Sequence, residues 1–447
     1  MNLHSPLLRG YSPDDAIALD WRGPVICGQF LRRTAELARA LPHKPGVLNL
    51  CADRLHFALA LAAALHRGMT TLLPATHASA SLLQLYEDGS KAACVADTAD
   101  VPTELELTPI PETGDEAAGA ASLPEPFADL RAAIVFTSGT TGRPVPWAKT
   151  WGSLVAGADA LGCALGFNAG PRRAIAGTVP AQHMFGLETT VMLPLQWGCI
   201  IHRRRPLLPS DIRAVLESMP APRWLMTTPL HLRTCIEEGK RFARLEGIVS
   251  STMPLTAALA QQAETLFGTP VHEIYGCTEA GMVAMRQPAR DPHWTLCEGL
   301  RLTHQDGCWM VNGGHLDHQV RLADSIQRIG EHKFALIGRD ADLVKIGGKR
   351  ASLEALTLEL KRVAGVADGV FYAPDDLDDN GGRLAAVAVA PGLTVQGIVQ
   401  ALRERIDPVF LPRPLILVTE LPRTAVGKVA RESLRELTHR HCRARGR

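Results

Sequence analysis

The sequence has almost no net charge. Its 47 lysine and arginine residues and 46 aspartate and glutamate residues leave a formal charge of +1 over 447 residues. Proteins that bind nucleic acids usually carry a basic excess or a basic stripe, so this balance argues against such a partner. Lysine itself is scarce, with nine residues, so a lysine that lies inside a motif carries extra weight as a candidate functional group.

The sequence also lacks paired cysteines and long apolar runs. None of its ten cysteines belongs to a Cys-x-x-Cys pair, which favours reduced thiols in a cytoplasm over a disulfide framework or a zinc site. The longest apolar run, residues 57–65, is too short to cross a bilayer and predicts a buried helix. The N-terminus shows no apolar core of the kind that a signal peptide contains. We therefore expect a cytoplasmic protein without a membrane span.

Short apolar segments alternate with helical patterns along most of the chain. Residues 46–50, for example, have the pattern of a buried strand, and residues 29–40 that of a helix. This alternation is typical of an α/β fold with a mainly parallel sheet. The pattern changes after Gly338, where helices and strands read as a smaller α+β unit. The length also exceeds one ordinary core, so we predict a large domain over residues 1–338 and a small one over residues 339–447.

The first motif, residues 137–144, follows an apolar, β-branched run at residues 132–136. The run predicts a strand, and the motif is predicted to be a loop that leaves the end of that strand. Two glycines permit unusual backbone angles, and hydroxyl and N–H groups can surround phosphate oxygens. The motif is not a Walker A loop, which ends in Gly-Lys-Ser/Thr. A plain Gly/Thr turn is the alternative. The motif therefore predicts a polyphosphate site formed by Thr137, Ser138, Gly139, Thr140, Thr141, Gly142, Arg143 and Pro144.

Three further segments carry side chains that are suited to binding or catalysis. The first, Tyr275-Gly276-Cys277-Thr278-Glu279, follows an apolar strand pattern; its aromatic ring suits a purine, and its Thr and Glu suit phosphate and Mg²⁺. A common Tyr-Gly turn is the alternative. The second comprises residues 338–350, for which a charged hinge loop is the alternative interpretation. The third comprises residues 421–428, which end in Gly427-Lys428, and its alternative interpretation is a basic turn before a final helix.

In their order and spacing, the four segments resemble the adenylate-forming superfamily. This superfamily comprises acyl- and aryl-CoA synthetases, the adenylation domains of peptide synthetases, and luciferases. The resemblance extends from about residue 10 to residue 435. It implies a large N-terminal domain of layered sheets of the αβαβα type and a small, mobile α+β C-terminal domain. It also implies an ATP-dependent, AMP-forming ligase that uses ATP and Mg²⁺.

The resemblance assigns roles to the ATP-binding residues. Residues 137–142 would hold the β- and γ-phosphates, and Tyr275, with Gly276, would lie against the adenine. Thr278 would contact the α-phosphate and Glu279 would bind Mg²⁺. The remaining assignments are the ribose-binding pair Asp324 and Arg339 and the mobile catalytic lysine, Lys428.

A pocket for the acid is implied by residues 180–186, where the superfamily closes the acyl site with a histidine or an aromatic residue. A buried structural histidine is the alternative reading of His183. The resemblance implies a catalytic or pocket role for His183 and pocket walls from Phe185, Gly186, Ser250, Gly276, Met282 and Val283.

Val145 and Ala341 depart from the superfamily pattern. Relatives usually carry a lysine where this chain has Val145, and we hypothesise that Arg143 or Lys149 supplies the missing positive charge to the phosphates. Ala341 replaces the Asp or Lys of the usual hinge. The small domain is still expected to rotate about residues 339–342, because Gly338 and the neighbouring acidic residues suit a bend.

The short length and residues 143–147 and 182–188 look like a bacterial subgroup from aryl-polyene and xanthomonadin-type pigment pathways. That resemblance implies a hydroxybenzoate-like acid and an acyl carrier protein as the thiol acceptor. A synthetase that uses free CoA is the close alternative. A phosphotransferase, a hydrolase and a non-catalytic nucleotide-binding protein are alternatives of other classes; acid-dependent release of AMP and pyrophosphate distinguishes the ligase from them.

Overall fold

The computed structural model describes residues 4–75, 77, 79–88, 92–98, 101–112, 123–138, 144–168, 170–339, 343–346, 349–374, 383–423 and 429–445. The chain divides into two compact units. The first comprises Met1–Arg301 and Val311–Val320, and the second comprises Leu302–Met310 and Arg321–Arg447. The predicted division into domains of residues 1–338 and 339–447 stays a prediction.

The first unit contains two sheets. The strands of the smaller sheet are β3 (Gly46–Asn49), β4 (Thr70–Leu73), β5 (Ala93–Val95), β6 (Arg131–Ser138) and β7 (Pro144–Thr150). The strands of the larger sheet are β1 (Ala16–Asp20), β2 (Gly23–Ile26), β8 (Ala174–Gly177), β9 (Ile200–His202), β10 (Arg223–Thr227), β11 (Gly247–Ser250), β12 (Val271–Cys277), β13 (Gly281–Arg286) and β14 (Trp294–Leu296).

Both sheets are parallel at their centres. The smaller sheet has the order β5-β3-β4-β6-β7, in which only β7 is antiparallel to its neighbour. In the larger sheet the strands of this unit follow the order β14-β13-β12-β11-β10-β8-β9-β1-β2, with a parallel run from β12 to β1. The α/β alternation in the sequence therefore predicted the sheet type correctly.

The helices of this unit are α1 (Cys27–Ala40), α2 (Arg54–His66), α3 (Ser79–Asp88), α4 (Trp151–Ala164), α5 (Met184–Leu187), α6 (Leu193–Trp197), α7 (Pro209–Ser218), α8 (Pro229–Glu238) and α9 (Ala257–Phe267). A π-helical segment, Glu188–Met192, joins α5 to α6. Asp53 caps the start of helix α2, since its carboxylate accepts hydrogen bonds from the amides of Leu55 and His56.

Helix α2 contacts strands of both sheets: β3, β4 and β6 of the smaller sheet and β9 of the larger one. Residues 57–65 are almost completely buried, which confirms the helix predicted from this apolar run. A helix that is apolar on all sides is stable only where it is enclosed by other elements. Within the described residues, no helix is long and apolar enough to span a membrane.

The second unit has its own apolar core. Its elements are β18 (Asp324–Arg328), β19 (Lys333–Arg339), β20 (Leu343–Ile346), β21 (Lys349–Ser352), α10 (Leu353–Lys361), β22 (Asp368–Tyr372), β23 (Ala385–Val389), α11 (Val395–Arg403), β24 (Leu415–Leu417) and α12 (Arg431–Arg445). Strands β18 and β19 pair, β20 and β21 pair, and β22, β23 and β24 form a three-stranded sheet. Three short strands precede them in the sequence: β15 (Leu300–Gln305), β16 (Cys308–Gly313) and β17 (Val320–Leu322).

Two histidines of the larger sheet predict a loss of stability in mild acid. Burial lowers the pKa of His202 and of His272 to about 4. The unfolded chain takes up these protons near pH 6.5, whereas the folded chain stays neutral until about pH 4. The stability is therefore complete above pH 6.5 and falls as the pH drops toward 4, by up to about 3 kcal/mol for His202.

Chemical denaturation at pH 7 and at pH 4.5 measures this difference. We expect His202→Asn, which keeps an acceptor near the Nδ1 that faces the Arg204 amide, to lower the dependence of the unfolding midpoint on pH. A variant with the full pH dependence of the parent protein would remove His202 from the explanation.

Candidate functional site

The predicted phosphate loop lies between the paired strands β6 and β7. Thr137 pairs with Val145 and Ser138 with Pro144, so the strand continues two residues beyond the apolar run. The prediction that the loop begins at Thr137 was therefore wrong. The indole Nε1 of Trp147 on β7 donates to Thr137 Oγ1 at 3.3 Å. Gly139, Thr140, Thr141, Gly142 and Arg143 lie outside the described residues.

The second motif spans the turn between β12 and β13. Strand β12 extends to Cys277, and Tyr275 pairs with Ala284, so Tyr275 is a strand residue rather than the residue after the strand. Its ring lies 5.6 Å from that of Trp294, centroid to centroid. A side chain at Gly276 would overlap the carbonyl oxygen of Gly281, which explains the glycine. Thr278 and Glu279 then occupy the turn itself.

Three buried side chains hold the backbone of this turn. The ammonium Nζ of Lys149 donates to the carbonyl oxygen of Glu279 at 2.5 Å. The ring Nε2 of His315 donates to the carbonyl oxygen of Ala280 at 3.1 Å. The carboxylate Oε1 of Glu188 accepts from the amide of Met282 at 3.0 Å. We call these three residues, Lys149, Glu188 and His315, the turn clamp.

The members of the turn clamp are 6–7% exposed. Burial shifts the pKa of each in the direction that favours the neutral form of the side chain. It raises the pKa of Glu188 to about 7, against the opposing effects of the Met282 amide and the Lys149 charge. It lowers the pKa values of Lys149 and His315. A cavity of about 20 Å³, roughly one water in size, is lined by Lys149, Met184, Glu188, Glu279, His315 and Asp317.

Lys149 therefore has a partner inside the protein. The sequence indicated Lys149 as a possible source of charge for the phosphates, whereas the structure ties its ammonium group to the backbone of Glu279. Glu188 and His315 were not predicted from the sequence. For Glu188 a signal was present, because a single carboxylate within the apolar helical stretch after residue 183 is unusual.

The predicted acid pocket is built from neighbouring elements. His183, half-buried, precedes the first turn of α5, and Phe185 and Gly186 are buried within that helix. A side chain at Gly186 would overlap the carbonyl oxygen of Pro180. The remaining predicted wall residues lie on the adjacent strands β11, β12 and β13: Ser250, Gly276, Met282 and Val283.

Two contacts bring the pocket segment to the turn. Glu188, directly after α5, accepts from Met282 on β13, and Met184 lies close to Gly281. Ser250 is completely buried, and its Oγ has no hydrogen-bond partner among the described residues. The elements predicted to bind the acid and the turn predicted to bind the α-phosphate are thus neighbours.

Arg54, which sequence analysis did not identify, anchors the segment that leads to the pocket. Its guanidinium donates to the carbonyl oxygens of Gly177 and Val179 at 2.5 and 2.7 Å. It also donates to the carbonyl oxygen of Arg204 at 2.5 Å. The amide of Gln182 donates to the carbonyl oxygen of Cys51 at 2.6 Å. Residues at the start of α2 therefore fix the path of the chain just before His183.

The predicted ribose-binding residues are direct partners in the second unit. Asp324 on β18 pairs with Arg339 on β19 in the antiparallel register. The separation of fifteen positions is therefore that of a hairpin whose ends meet. Lys428 and the hinge residues 340–342 lie outside the described residues.

The donor set around the turn fits Mg²⁺. Mg²⁺ is usually held by one or two carboxylates together with substrate phosphates and water, rather than by a cage of protein ligands. Glu279 supplies such a carboxylate, and in the part of the chain that the structure describes no three His, Cys, Asp or Glu side chains cluster as a separate metal site. Bound there, the metal would neutralise charge on the phosphates.

The comparisons with known proteins agree with this geometry. Residues 12–299 match the family model described as AMP-binding enzyme. The 4-coumarate–CoA ligase of Halorhodospira halophila is 29% identical over 308 residues, which are 66% of this chain and 73% of that protein.

Solved structures show the same fold. ATP-bound MatB from Rhodopseudomonas palustris has a TM-score of 0.80 at 19% identity, covering 96% of this chain and 97% of that one. The o-succinylbenzoate coenzyme A synthetase MenE from Bacillus subtilis, in complex with ATP and magnesium, has a TM-score of 0.78 at 19% identity, covering 94% and 96%. The predicted large sheet-rich N-terminal domain and smaller C-terminal domain are thereby confirmed.

The family match covers more than half of the chain, and the motifs occur in the order that the resemblance requires. The chain therefore belongs to the AMP-binding enzyme family and is an ATP-dependent, AMP-forming ligase that adenylates a carboxylic acid and uses ATP with Mg²⁺.

Proposed function

We propose that this ligase adenylates an aromatic acid, of which a hydroxybenzoate is the best representative, and transfers the acyl group to the phosphopantetheine thiol of an acyl carrier protein. The observation that carries the adenylation site is the contact between the pocket segment and the turn. Glu188 and Met184 adjoin Met282 and Gly281, so an acid beside α5 would lie next to an α-phosphate at Thr278.

The first step joins two anions. The carboxylate oxygen of the acid attacks the α-phosphorus of ATP, the bond to the bridging oxygen breaks, and pyrophosphate leaves. Such a reaction depends mostly on positioning and charge neutralisation. In our proposal Thr278 contacts the α-phosphate, Glu279 holds Mg²⁺, and Lys428 lies between the carboxylate and the α-phosphate in the transition state.

Nucleotide recognition completes this assignment. Residues 137–143 surround the β- and γ-phosphates, Tyr275 and Gly276 contact the adenine, and Asp324 with Arg339 binds the ribose. The hairpin register of Asp324 and Arg339 supports their acting on one group. His183, Phe185, Gly186, Ser250, Met282 and Val283 form the acid pocket in this proposal.

The second step releases AMP. The thiolate of the acceptor attacks the acyl carbon, the thioester bond forms, and the bond to AMP breaks. We propose that residues 339–447 rotate about residues 339–342 between the two steps, which would withdraw Lys428 and admit the thiol.

The proposed acid and the proposed acceptor are supported by different observations. The 4-coumarate–CoA ligase relative favours an aromatic acid. The carrier protein is inferred from the resemblance to the pigment-pathway subgroup, and the same relative favours free CoA as the second candidate acceptor. A carrier protein presents acidic helices, and Arg204 and Arg205, both exposed, offer positive charge for such a surface.

Release of pyrophosphate and AMP, measured over a panel of aromatic and fatty acids with CoA and holo-acyl carrier protein supplied in turn, tests the proposal. We expect hydroxybenzoates to give the highest rates and the carrier protein to be loaded faster than CoA. If no acid stimulates the turnover of ATP, the adenylation site is wrongly assigned. Preferred transfer to CoA would replace the carrier protein by the second candidate, and preferred fatty acids would exclude the aromatic one.

A further inference from the structure

The three side chains of the turn clamp come from separate elements and converge on one short stretch of backbone. Its three side chains come from β7, from the helical stretch after α5, and from the segment after β16. They hydrogen-bond to Glu279, Ala280 and Met282, three residues within a stretch of four. The partners are 130, 35 and 94 positions apart in the sequence. The adjoining residues of the turn, Thr278 and Glu279, are those assigned to phosphate and metal.

The turn clamp is costly for stability alone. Lysine and glutamate are rarely fully buried, because removing their charges from water costs free energy. Apolar residues at 149 and 188 would fill the same space without desolvating a charge. The position of these groups therefore indicates a requirement for directed hydrogen bonds.

The backbone around the turn clamp is shaped to admit it. Gly281 has a φ of +72°, and a side chain there would overlap Glu188 Oε1. On α4, a Cβ at Gly157 would lie 3.7 Å from the ring of His315 and 3.8 Å from Glu188 Oε1. Gly281 is therefore required for the carboxylate to reach the turn, whereas a Cβ at Gly157 would make only ordinary van der Waals contacts with the two side chains.

We propose that Lys149, Glu188 and His315 are positioning residues, which fix the backbone of Glu279–Met282 so that Thr278 and Glu279 are preset for the α-phosphate and Mg²⁺. This inference rests on the proposed function, because it takes the roles of Thr278 and Glu279 from it. Preset groups stabilise a transition state without having to reorganise during the reaction. A loosened turn should therefore weaken the use of Mg²⁺ before it weakens the binding of the acid.

The variant Lys149→Met tests this role, because methionine fills similar space but cannot donate to Glu279. We expect the Mg²⁺ concentration that gives half-maximal pyrophosphate release to rise about tenfold, the factor for one hydrogen bond to a charged group. The KM for the acid should change little. The control is Lys240→Met, the same substitution at a lysine that is 62% exposed and paired with Glu238.

A double-mutant cycle of Lys149→Met with Glu279→Gln separates positioning from general destabilisation. If the lysine acts through Glu279, the combined loss is smaller than the product of the two single losses. If the combined loss equals the product of the two single losses, the proposal is overturned. An unchanged Mg²⁺ requirement in Lys149→Met also overturns it. In both cases the parent enzyme still turns over ATP with acid, so the proposed function stands. A parent enzyme without acid-dependent turnover overturns both.

The histidine provides an independent test should Lys149→Met not fold. His315→Gln keeps a donor near the position of Nε2, whereas His315→Leu removes it. We expect the glutamine variant to retain the parental Mg²⁺ requirement and the leucine variant to show the increase. An equal requirement in the two variants would overturn the role of the Ala280 contact.

Discussion

Replacing Lys428 with alanine is expected to slow the formation of the acyl-adenylate by about 10²–10³-fold. The reason is electrostatic. The carboxylate and the α-phosphate are both anionic, and a long cationic side chain between them neutralises charge that develops in the transition state. A similar loss follows in other enzymes when one preorganised contact to developing charge is removed. Acid-dependent pyrophosphate release at saturating ATP measures this step.

The same variant should transfer the acyl group from a preformed acyl-adenylate to the thiol at nearly the parental rate. This follows from the proposed rotation, which withdraws Lys428 before the thiol reacts. The exposed lysine variant Lys240→Ala is the control, and we expect it to retain both half-reactions. Equal losses of adenylation and transfer in Lys428→Ala would remove the assignment of this lysine to the first step.

Replacing Arg54 with alanine should lower the free energy of unfolding by roughly 3–4 kcal/mol. Arg54 is 1% exposed, and burial lowers the pKa of its guanidinium to about 9. Its donors satisfy the carbonyl oxygens of Gly177, Val179 and Arg204. Alanine would leave these acceptors without their partner and open a space beside them, and unsatisfied buried groups are costly.

Chemical denaturation of Arg54→Ala and of Arg204→Ala measures this effect. The side chain of Arg204 is exposed, so we expect its loss to change the free energy of unfolding by less than about 0.5 kcal/mol. A small effect in both variants would mean that the segment before His183 is held by other contacts, with that of Gln182 to Cys51 as the first candidate.

Several elements could be located from the sequence with little error. The helix predicted at residues 29–40 is α1 (Cys27–Ala40), and the strand predicted at residues 46–50 is β3 (Gly46–Asn49), because the apolar residues of each segment follow the period of its structure. Strands β6 and β12 were predicted too short, since the apolar run ends before the hydrogen-bonded ladder does. Their last residues are paired with β7 and β13. The residue pattern of one strand does not show how far the neighbouring strand pairs with it.

The chemistry was determined by the sequence itself. A glycine-rich motif after a strand, the Thr278-Glu279 pair and a lysine near the C-terminus are short local patterns, and their order along the chain suffices to indicate adenylation. The residues that hold the turn of Thr278 and Glu279 could not be found in the same way. Lys149, Glu188 and His315 meet at the turn from distant parts of the chain, and only the tertiary structure decided that meeting. The physical reason is that a chemical group is encoded by one residue, whereas its position depends on contacts with residues that are remote in sequence.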